Sequence, residues 1–382
     1  MTTFELFFDL MFVFAFTQVT QLMAHAHSAM GVLQALIILI VLWWSWCSYS
    51  WLANQTHVDE GVVRIGMSVA MIAMFVVALV IPEAFDDLEG GLSGPIVFVI
   101  ALFVLRLIHL GLYLFAAGED VGLRRQVLSQ FAPTIASCGL LLAGAIIGGP
   151  AQVWWWLGGV IVDVALTWIT ANGGNWRLYS PAHWSERYGL VVILALGESI
   201  VAIGVGAAHL PISVPVLVGS VLAILLSLSL WWLYFDVVAI AAEHELAKRD
   251  GKRRVDLARD GYTYLHFPLI AGIVISALGV EEVIAHAVDT APLGLFGAAA
   301  LFGGTSLYLA GHAFFWRRVG GTWKAWRLVG GTALLALLPI GALLQPLIAL
   351  GLAVAVAIAA ALGESVMNAQ HRAEVRAGRS EG

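Results

Sequence analysis

The chain has 382 residues, of which 60% are hydrophobic and 12% charged, with a net charge of −6 and a mean hydropathy of +0.91. A water-soluble domain cannot bury that much apolar surface, so lipid must solvate much of the chain, and soluble enzymes and nucleic-acid-binding proteins are excluded. The net charge indicates no particular partner, because the charged residues are divided between the two sides of a membrane.

Twelve apolar segments of about twenty residues follow one another from the amino end to the carboxyl end. Each is long enough to cross a bilayer as an α-helix. We therefore predict an all-α integral membrane protein with twelve transmembrane helices. The segments are 4–24, 30–52, 63–84, 95–117, 129–149, 151–171, 186–208, 214–242, 262–287, 291–316, 325–344 and 346–368.

The basic residues lie toward one side of the predicted membrane, with Arg106 as the exception. The loops near residues 26, 87, 149, 210, 290 and 345 contain no Lys or Arg. The alternate loops carry the basic residues, including the run from Lys248 to Arg259 and the tail from Arg372 to Arg379. Basic loops are retained in the cytoplasm, so we expect both termini there and an even number of spans.

The two halves of the chain, 1–172 and 173–382, resemble each other weakly. Glu5 and Glu186 open the first and seventh segments, and tryptophan clusters follow in the second and eighth. Six crossings in each half would give both halves the same orientation, as in transporters with parallel repeats. We predict such a 6+6 repeat; chance similarity between Trp-rich and Leu-rich segments is the alternative.

The sequence contains no pattern that predicts an energy source, a cofactor or a metal site. The motif G-x-x-x-x-G-K-[ST] is absent, and the longest polar stretch, near 243–261, is too short for a nucleotide-binding domain. Cys47 and Cys138 lie inside apolar segments without metal-ligand spacing, and His25 and His27 form only a weak H-x-H pattern. We therefore predict no cofactor, no metal and no ATP hydrolysis by this chain.

Ionisable side chains inside the predicted helices are the main indication of function. Each costs at least about 2.5–3.5 kcal/mol to place at the centre of a membrane helix, so it needs a partner or a water-filled cavity. Nine such residues are expected to face the interior of the helix bundle. Four lie near mid-depth and five in the cytoplasmic half: Arg106, His109, Asp163 and Glu198, then Asp9, Asp236, His266, His312 and Glu364.

Arg106 stays charged at any accessible pH and must find a carboxylate. Depth in the membrane allows Glu198 or Asp163, and His109 lies three residues along on the same helix face. The pair is either a static ion pair that fixes helix packing or part of a functional site, and both interpretations stay open.

Glu198 is the best candidate for proton exchange. It lies in the pentamer Ala195–Ser199, A-L-G-E-S, and the same five residues recur around Glu364. Glycine allows a neighbouring backbone to approach, and Ser199 can hydrogen-bond the acid. Burial favours the protonated carboxyl and a nearby Arg favours the ionised form, so such a group can exchange a proton. The alternative is a permanently protonated Glu that hydrogen-bonds in the core.

Glu5 and Asp9 are four residues apart at the predicted cytoplasmic end of the first segment, so they share a helix face. Together they indicate a cation entrance or a pairing with an Arg elsewhere, although Glu5 alone can interact with the positive end of the helix dipole. His266 and His312 are candidates for a proton relay, and packed neutral histidines are the alternative.

Three blocks of sequence form a recognisable set: E-L-F-F-D-L-M-F-V-F at 5–14, E-R-Y-G-L-V-V-I-L-A-L-G-E-S-I at 186–200 and W-W-L-Y-F-D at 231–236. Together they resemble the signatures of the low temperature requirement protein A family, over essentially the whole chain. The resemblance implies a multi-pass bacterial membrane protein and supplies no catalytic residues. The family pattern would place a short polar, often basic leader before the first block, which begins here at Glu5.

We predict a proton-coupled secondary transporter of a small solute, embedded in membrane lipid, with Glu198 or Asp9 carrying the proton and Arg106 biasing it. The alternative is a membrane-embedded enzyme that acts on lipid or a lipid-linked group, using Asp236 and either histidine of the cytoplasmic half. A channel ranks third, because no repeated filter-like segment is present.

Overall fold

The computed structural model describes residues 1–56, 58–171 and 176–367, which form helices and connecting turns with no strand among them. Eleven helices in this part of the chain are long and apolar enough to cross a membrane. A twelfth apolar helix, Ala325–Gly341, is shorter at 17 residues. The prediction of an all-α membrane protein is therefore confirmed.

The chain divides into two compact units, Met1–Trp184 and Ser185–Gly382. The described part of the first unit holds seven helices and the start of an eighth. In chain order they are α1 (Thr3–Ala26), α2 (Ala29–Ala53), α3 (Gly61–Val80), α4 (Gly94–Ala116), α5 (Val121–Ser129), α6 (Phe131–Ile147), α7 (Gly149–Ala171) and α8 (Pro181–Ala207). The predicted boundary at 172/173, the end of the last segment at 368 and the basic tail beyond it lie outside the described residues.

Local sequence explains where helices of the first unit begin and end. The Thr2 hydroxyl accepts the backbone N–H of Glu5 at 3.2 Å, and the Glu5 carboxylate accepts the backbone N–H of Thr2 at 2.7 Å. This capping box satisfies N–H groups that the first turn of α1 would leave unpaired. Gly148 and Gly149 have φ angles of +65° and +58°, a backbone region that favours glycine, and they turn the chain from α6 directly into α7.

The second unit continues α8 and adds eight helices among its described residues. These are α9 (Val214–Phe235), α10 (Val238–Ala247), α11 (Gly251–Leu257), α12 (Phe267–Ala285), α13 (Gly294–Ala298), α14 (Gly304–Gly320), α15 (Ala325–Gly341) and α16 (Pro346–Met367). Two π-helical segments, Ala258–Tyr264 and Ala299–Gly303, lead toward α12 and α14. π-Helical segments are rare in proteins overall, but those that occur are often found at functional sites.

Two parts of the second unit differ from the predicted segments. The segment predicted at 214–242 breaks at Asp236 and Val237, between α9 and α10. The polar stretch at 243–261 is largely helical rather than extended. Its Ala, Glu, Leu, Lys and Arg residues are strong helix formers, which apolar length alone does not reveal.

The helices of each unit pack in the same chain order. In the first unit α3 packs on α4, α4 on α6 and α6 on α7, and α2 contacts α7. In the second unit α12 packs on α14, α14 on α15 and α15 on α16, and α9 contacts α16. An internal duplication would give this correspondence. The parallel 6+6 repeat and the cytoplasmic termini stay predictions.

Helices α12 and α14 approach each other at backbone distance. A Cβ atom on Gly272 would lie 2.5 Å from the backbone nitrogen of Tyr308, and a Cβ on Gly279 or Gly304 would collide with facing backbone in the same way. Small residues permit this approach in membrane proteins, where van der Waals packing takes the place of the hydrophobic effect between helices.

Candidate functional site

The eleven predicted site residues are all at least partly buried, and they form separate groups within the units. Eight are no more than 9% exposed: Glu5, Asp9, Arg106, Asp163, Glu198, Ser199, His266 and His312. Three are half-buried: His109, Asp236 and Glu364.

Arg106 pairs with Asp163, one of the two acids predicted to lie at a similar depth in the membrane. The Nη1–Oδ2 distance is 2.5 Å, and the pair joins α4 to α7 in the first unit. The Nε atom of Arg106 is buried with no hydrogen-bond partner among the described residues. A buried pair of this kind offsets its own desolvation cost only while both partners are present.

His109 lies on the same helix as Arg106 but reaches a different neighbour. Its Nε2 lies 3.0 Å from the carbonyl oxygen of Ser48 on α2. Its ring packs edge-on against Tyr49 and Tyr113, with centroids 5.2 Å and 5.6 Å away. A carbonyl only accepts, so Nε2 carries a proton and His109 acts as a donor between α4 and α2.

Asp9 and Glu5 have structural partners at the start of α1. Asp9 accepts a hydrogen bond from the indole N–H of Trp46 on α2, at 2.9 Å. Glu5, which already closes the capping box, also lies 2.9 Å from Nε2 of His183 through its other carboxylate oxygen. These contacts fasten α1 to its neighbours in the first unit.

Glu198 and Ser199 are buried on α8 in the second unit, at 2% and 3% exposure. The matching pentamer on α16 has a different environment, because Glu364 lies in the last turn of that helix and is half-buried. The repeated motif therefore gives one acid in a helix interior and one at a helix end.

Glu364 is held by two cations from the start of α15. Its carboxylate accepts from Nε and Nη2 of Arg327, at 2.6 Å and 2.9 Å, in a bidentate pair. Its Oε1 also lies 3.0 Å from Nζ of Lys324. Bidentate arginine–carboxylate pairs are among the strongest hydrogen-bonded ion pairs in proteins.

The guanidinium of Arg327 has two further partners. Its Nη2 donates to the carbonyl oxygen of Leu233 on α9 at 2.9 Å, and its Nη1 contacts the imidazole of His312 on α14. A guanidinium has no acceptor, so the contacted ring nitrogen must supply a lone pair and His312 is neutral at that atom. Arg327 is only 1% exposed and joins α9, α14, α15 and α16.

An aromatic layer continues from His312 toward the π-helical segment. The hydroxyl of Tyr234 lies 2.9 Å from Nε2 of His266, whose Nδ1 lies 3.2 Å from the carbonyl oxygen of Gly261. The carbonyl requires a proton on Nδ1, so in the neutral ring Nε2 accepts from Tyr234. The Tyr234 ring also packs edge-on against His312, with centroids 5.6 Å apart.

A small surface cleft lies beside Lys324 and Arg327. Its polar wall consists of Asp236, Lys324, Arg327, Glu364 and Ser365. Trp232, Leu233, Val237 and Val238 supply apolar wall on the side of α9 and α10. We refer to this cleft and its lining residues as the α9–α15–α16 site.

Sequence reasoning identified Asp236, His312 and Glu364 but missed Arg327 and Lys324. Both were counted with the cytoplasmic basic residues, because they follow a run of loop cations at the very start of the segment 325–344. The available signal was Glu364 itself: an acid in a predicted membrane helix needs a cation, and no basic residue occurs within its own segment.

The described residues hold no group of three His, Cys, Asp or Glu side chains close enough together to bind a metal ion.

The family model for bacterial low temperature requirement A protein (LtrA) matches residues 1–362. The chain belongs to the LtrA family. It is 30% identical over 319 residues to the uncharacterized protein RA0937 of Rhizobium meliloti (strain 1021). The matched region covers 80% of this chain and 75% of that protein. No solved structure matches this chain significantly. Membership of the LtrA family and the apolar helices together identify the chain as a multi-pass membrane protein of a bacterial family.

The blocks that resemble LtrA signatures lie only partly in the α9–α15–α16 site. The third block, at 231–236, supplies Trp232, Leu233 and Asp236 to the cleft. The first block supplies the acids that fasten α1, and the second supplies Glu198 and Ser199 on α8. The cations of the site lie outside all three blocks.

Proposed function

We propose that this LtrA-family protein is a secondary transporter that carries a small solute across the bacterial inner membrane together with protons. The observation that supports the proposal is the α9–α15–α16 site, where Glu364 is held by Lys324 and Arg327 at the edge of a cleft. Solute and proton would meet the same charged groups there, as coupling between them requires.

Charge balance supplies the coupling. Lys324 and Arg327 bring two positive charges to the cleft, and Glu364 and Asp236 bring two negative ones. Protonation of Glu364 removes one negative charge and weakens both of its ion pairs. An uncompensated cation in a poorly hydrated site is costly, so a bound solute or a rearrangement of the helices must compensate it.

The proposal assigns the proton to Glu364 rather than to Glu198 or Asp9. Glu364 borders a cleft, whereas Asp9 is fully buried against Trp46 and Glu198 lies in the interior of α8. Arg106 has Asp163 as its partner. Its proposed role changes from biasing the proton to fixing the packing of α4 on α7.

The contacts favour a transporter over a membrane-embedded enzyme. An enzyme built on Asp236 and a histidine needs an imidazole nitrogen free to take a proton from the substrate. Both nitrogens of His266 are engaged by Gly261 and Tyr234, and His312 is engaged by Arg327. Neither ring is placed to act as a general base in the cleft.

Proton movement in vesicles tests the proposal. The purified full chain is reconstituted in liposomes that enclose a pH-sensitive dye, and small organic anions, amino acids, sugars and inorganic cations are added outside. We expect one class of solute to change the internal pH with the wild-type protein and not with Glu364→Gln. Failure of every class, or an unchanged response in the variant, overturns the proposal.

Glu245→Gln is the matched control. Glu245 also pairs with a lysine, Lys248, at 2.9 Å, but its side chain is 34% exposed and lies outside the cleft. Exposed pairs of this kind contribute little, so this variant should carry protons at the wild-type rate.

A further inference from the structure

We infer that the solute is a small monocarboxylate anion, which binds Lys324 and Arg327 in the place that Glu364 leaves when it takes up a proton. This inference rests on the proposed function and specifies its substrate class. The observation that carries it is that a carboxylate of the protein already occupies a two-cation site at the edge of a cleft.

The geometry of the site selects a carboxylate. Arg327 presents Nε and Nη2 side by side to the two oxygens of Glu364, at 2.6 Å and 2.9 Å, and Lys324 adds a donor 3.0 Å from Oε1. A planar guanidinium edge matches the spacing of carboxylate oxygens. Glu364 therefore shows which group these donors fit, and a solute that replaces it needs the same group.

The charge of the site selects a single negative charge. With Glu364 ionised, the four charged residues of the cleft sum to zero, and protonation of Glu364 leaves them at plus one. A monoanion restores neutrality, whereas a neutral solute leaves the excess cation uncompensated. Uptake of a proton by Glu364 therefore strengthens binding of the anion, and binding of the anion strengthens uptake of the proton.

The histidines and tyrosines that are hydrogen-bonded near Arg327 add no charge to this balance. The elements packed around α15 and α16 contribute His312 and Tyr308 from α14, Tyr234 from α9 and His266 from the start of α12. His312 accepts from Arg327, His266 is engaged by Tyr234 and Gly261, and the Tyr308 hydroxyl donates to the carbonyl oxygen of Leu230 at 2.7 Å. All four are neutral in these contacts.

The remaining wall of the cleft indicates a short apolar tail on the anion. Trp232, Leu233, Val237 and Val238 supply the apolar part of the cleft lining. A carboxylate carrying a small alkyl or aryl group would satisfy both walls.

The exchange involves no covalent change beyond one proton. The proton passes from water to a Glu364 oxygen, the hydrogen bonds from Arg327 and Lys324 move to the solute carboxylate, and release of the solute reverses both steps. One proton therefore binds with each anion.

Calorimetry on the purified full chain tests the exchange. Propionate and benzoate are titrated in buffers of different ionisation enthalpy over a range of pH, with propionamide and benzamide as neutral isosteres. We expect at least one acid to bind with uptake of about one proton, more tightly by about tenfold per unit fall in pH while Glu364 starts ionised. The amides should not bind.

Variants separate the exchange from simple ion attraction. Glu364→Gln should bind the acid with no proton uptake and no pH dependence, because its cations are already released. Lys324→Met should bind it at least about tenfold more weakly. If a variant fails to fold, the comparison of acid with amide and the proton count on the wild type decide alone.

Lack of acid binding, equal binding of the amides, or a pH dependence that survives in Glu364→Gln overturns the inference. Failure of transport gives a different pattern. Acid binding with proton uptake but no flux in vesicles would overturn the transporter and leave the exchange standing. Proton flux driven by a neutral or cationic solute, without acid binding, would do the reverse.

Discussion

Each unit buries an arginine–carboxylate pair, and the two pairs differ in their surroundings. Arg106 and Asp163 lie in the middle of α4 and α7, at 9% and 4% exposure. Arg327 and Glu364 lie in the terminal turns of α15 and α16, beside a second cation and a cleft. A pair enclosed by helices suits a fixed register between them, whereas a pair at the edge of a cleft can exchange partners.

On the proposed function, depth in the membrane is a poor guide to which buried acid carries the proton. The insertion cost is greatest at mid-depth, yet the mid-depth acid Asp163 has a single enclosed partner. The acid with access to a cleft lies near a helix end, where the insertion cost is lower. A neighbouring cleft and a second cation therefore distinguish Glu364 from Asp163.

Arg106→Leu should produce the largest loss of stability. It leaves the Asp163 carboxylate buried without its cation, which we expect to lower the free energy of unfolding by about 3–5 kcal/mol. Equilibrium unfolding in detergent micelles measures the change. The double variant Arg106→Leu/Asp163→Leu should recover most of the loss, and a double variant as unstable as the single one would contradict a register role.

Glu364→Gln should have a smaller effect, of about 1–3 kcal/mol, in the same unfolding measurement. The carboxylate is lost, but the amide oxygen of Gln can still accept from Arg327, which also keeps its contacts with Leu233 and His312. A loss of stability equal to that of Arg106→Leu would mean that the groups around Arg327 do not compensate its charge when the carboxylate is removed.

Tyr234→Phe should have the smallest effect, about 0.5–1.5 kcal/mol, because it deletes only the hydroxyl that lies 2.9 Å from His266. Tyr308→Phe is the matched control, since it removes a hydroxyl that donates to a backbone carbonyl at 2.7 Å. A loss of stability for Tyr234→Phe well above that of the control would show that the Tyr234–His266 hydrogen bond stabilises the network around Arg327.

Sequence alone predicted the helices well, because length and apolar content are local properties. Each predicted segment overlaps an observed apolar helix, and apart from the break inside 214–242 the differences concern the ends. The break at Asp236 was missed because the apolar character continues through Val237 and Val238. Hydropathy indicates whether a segment lies in lipid or in water, but it does not indicate whether the helix through that segment is continuous.

Sequence predicted the site less well, because its residues are distant in the chain. Depth identified Asp163 as a possible partner for Arg106, since both lie mid-helix. Arg327 joins residues separated from it by 37 positions at Glu364 and by 94 at Leu233. Its position after a run of cations made it indistinguishable from a loop residue that only orients the protein in the membrane.

The glycine contacts between α12 and α14 limit how the second unit can move. At these glycines the two backbones are in direct contact, so little space remains there for side chains to rearrange. The three helices around the cleft are joined at Arg327 by hydrogen bonds and ion pairs, which break and reform readily. In the proposed exchange, loss of the Arg327–Glu364 bonds would remove one contact between α15 and α16 and leave the glycine contacts of α12 with α14 unchanged.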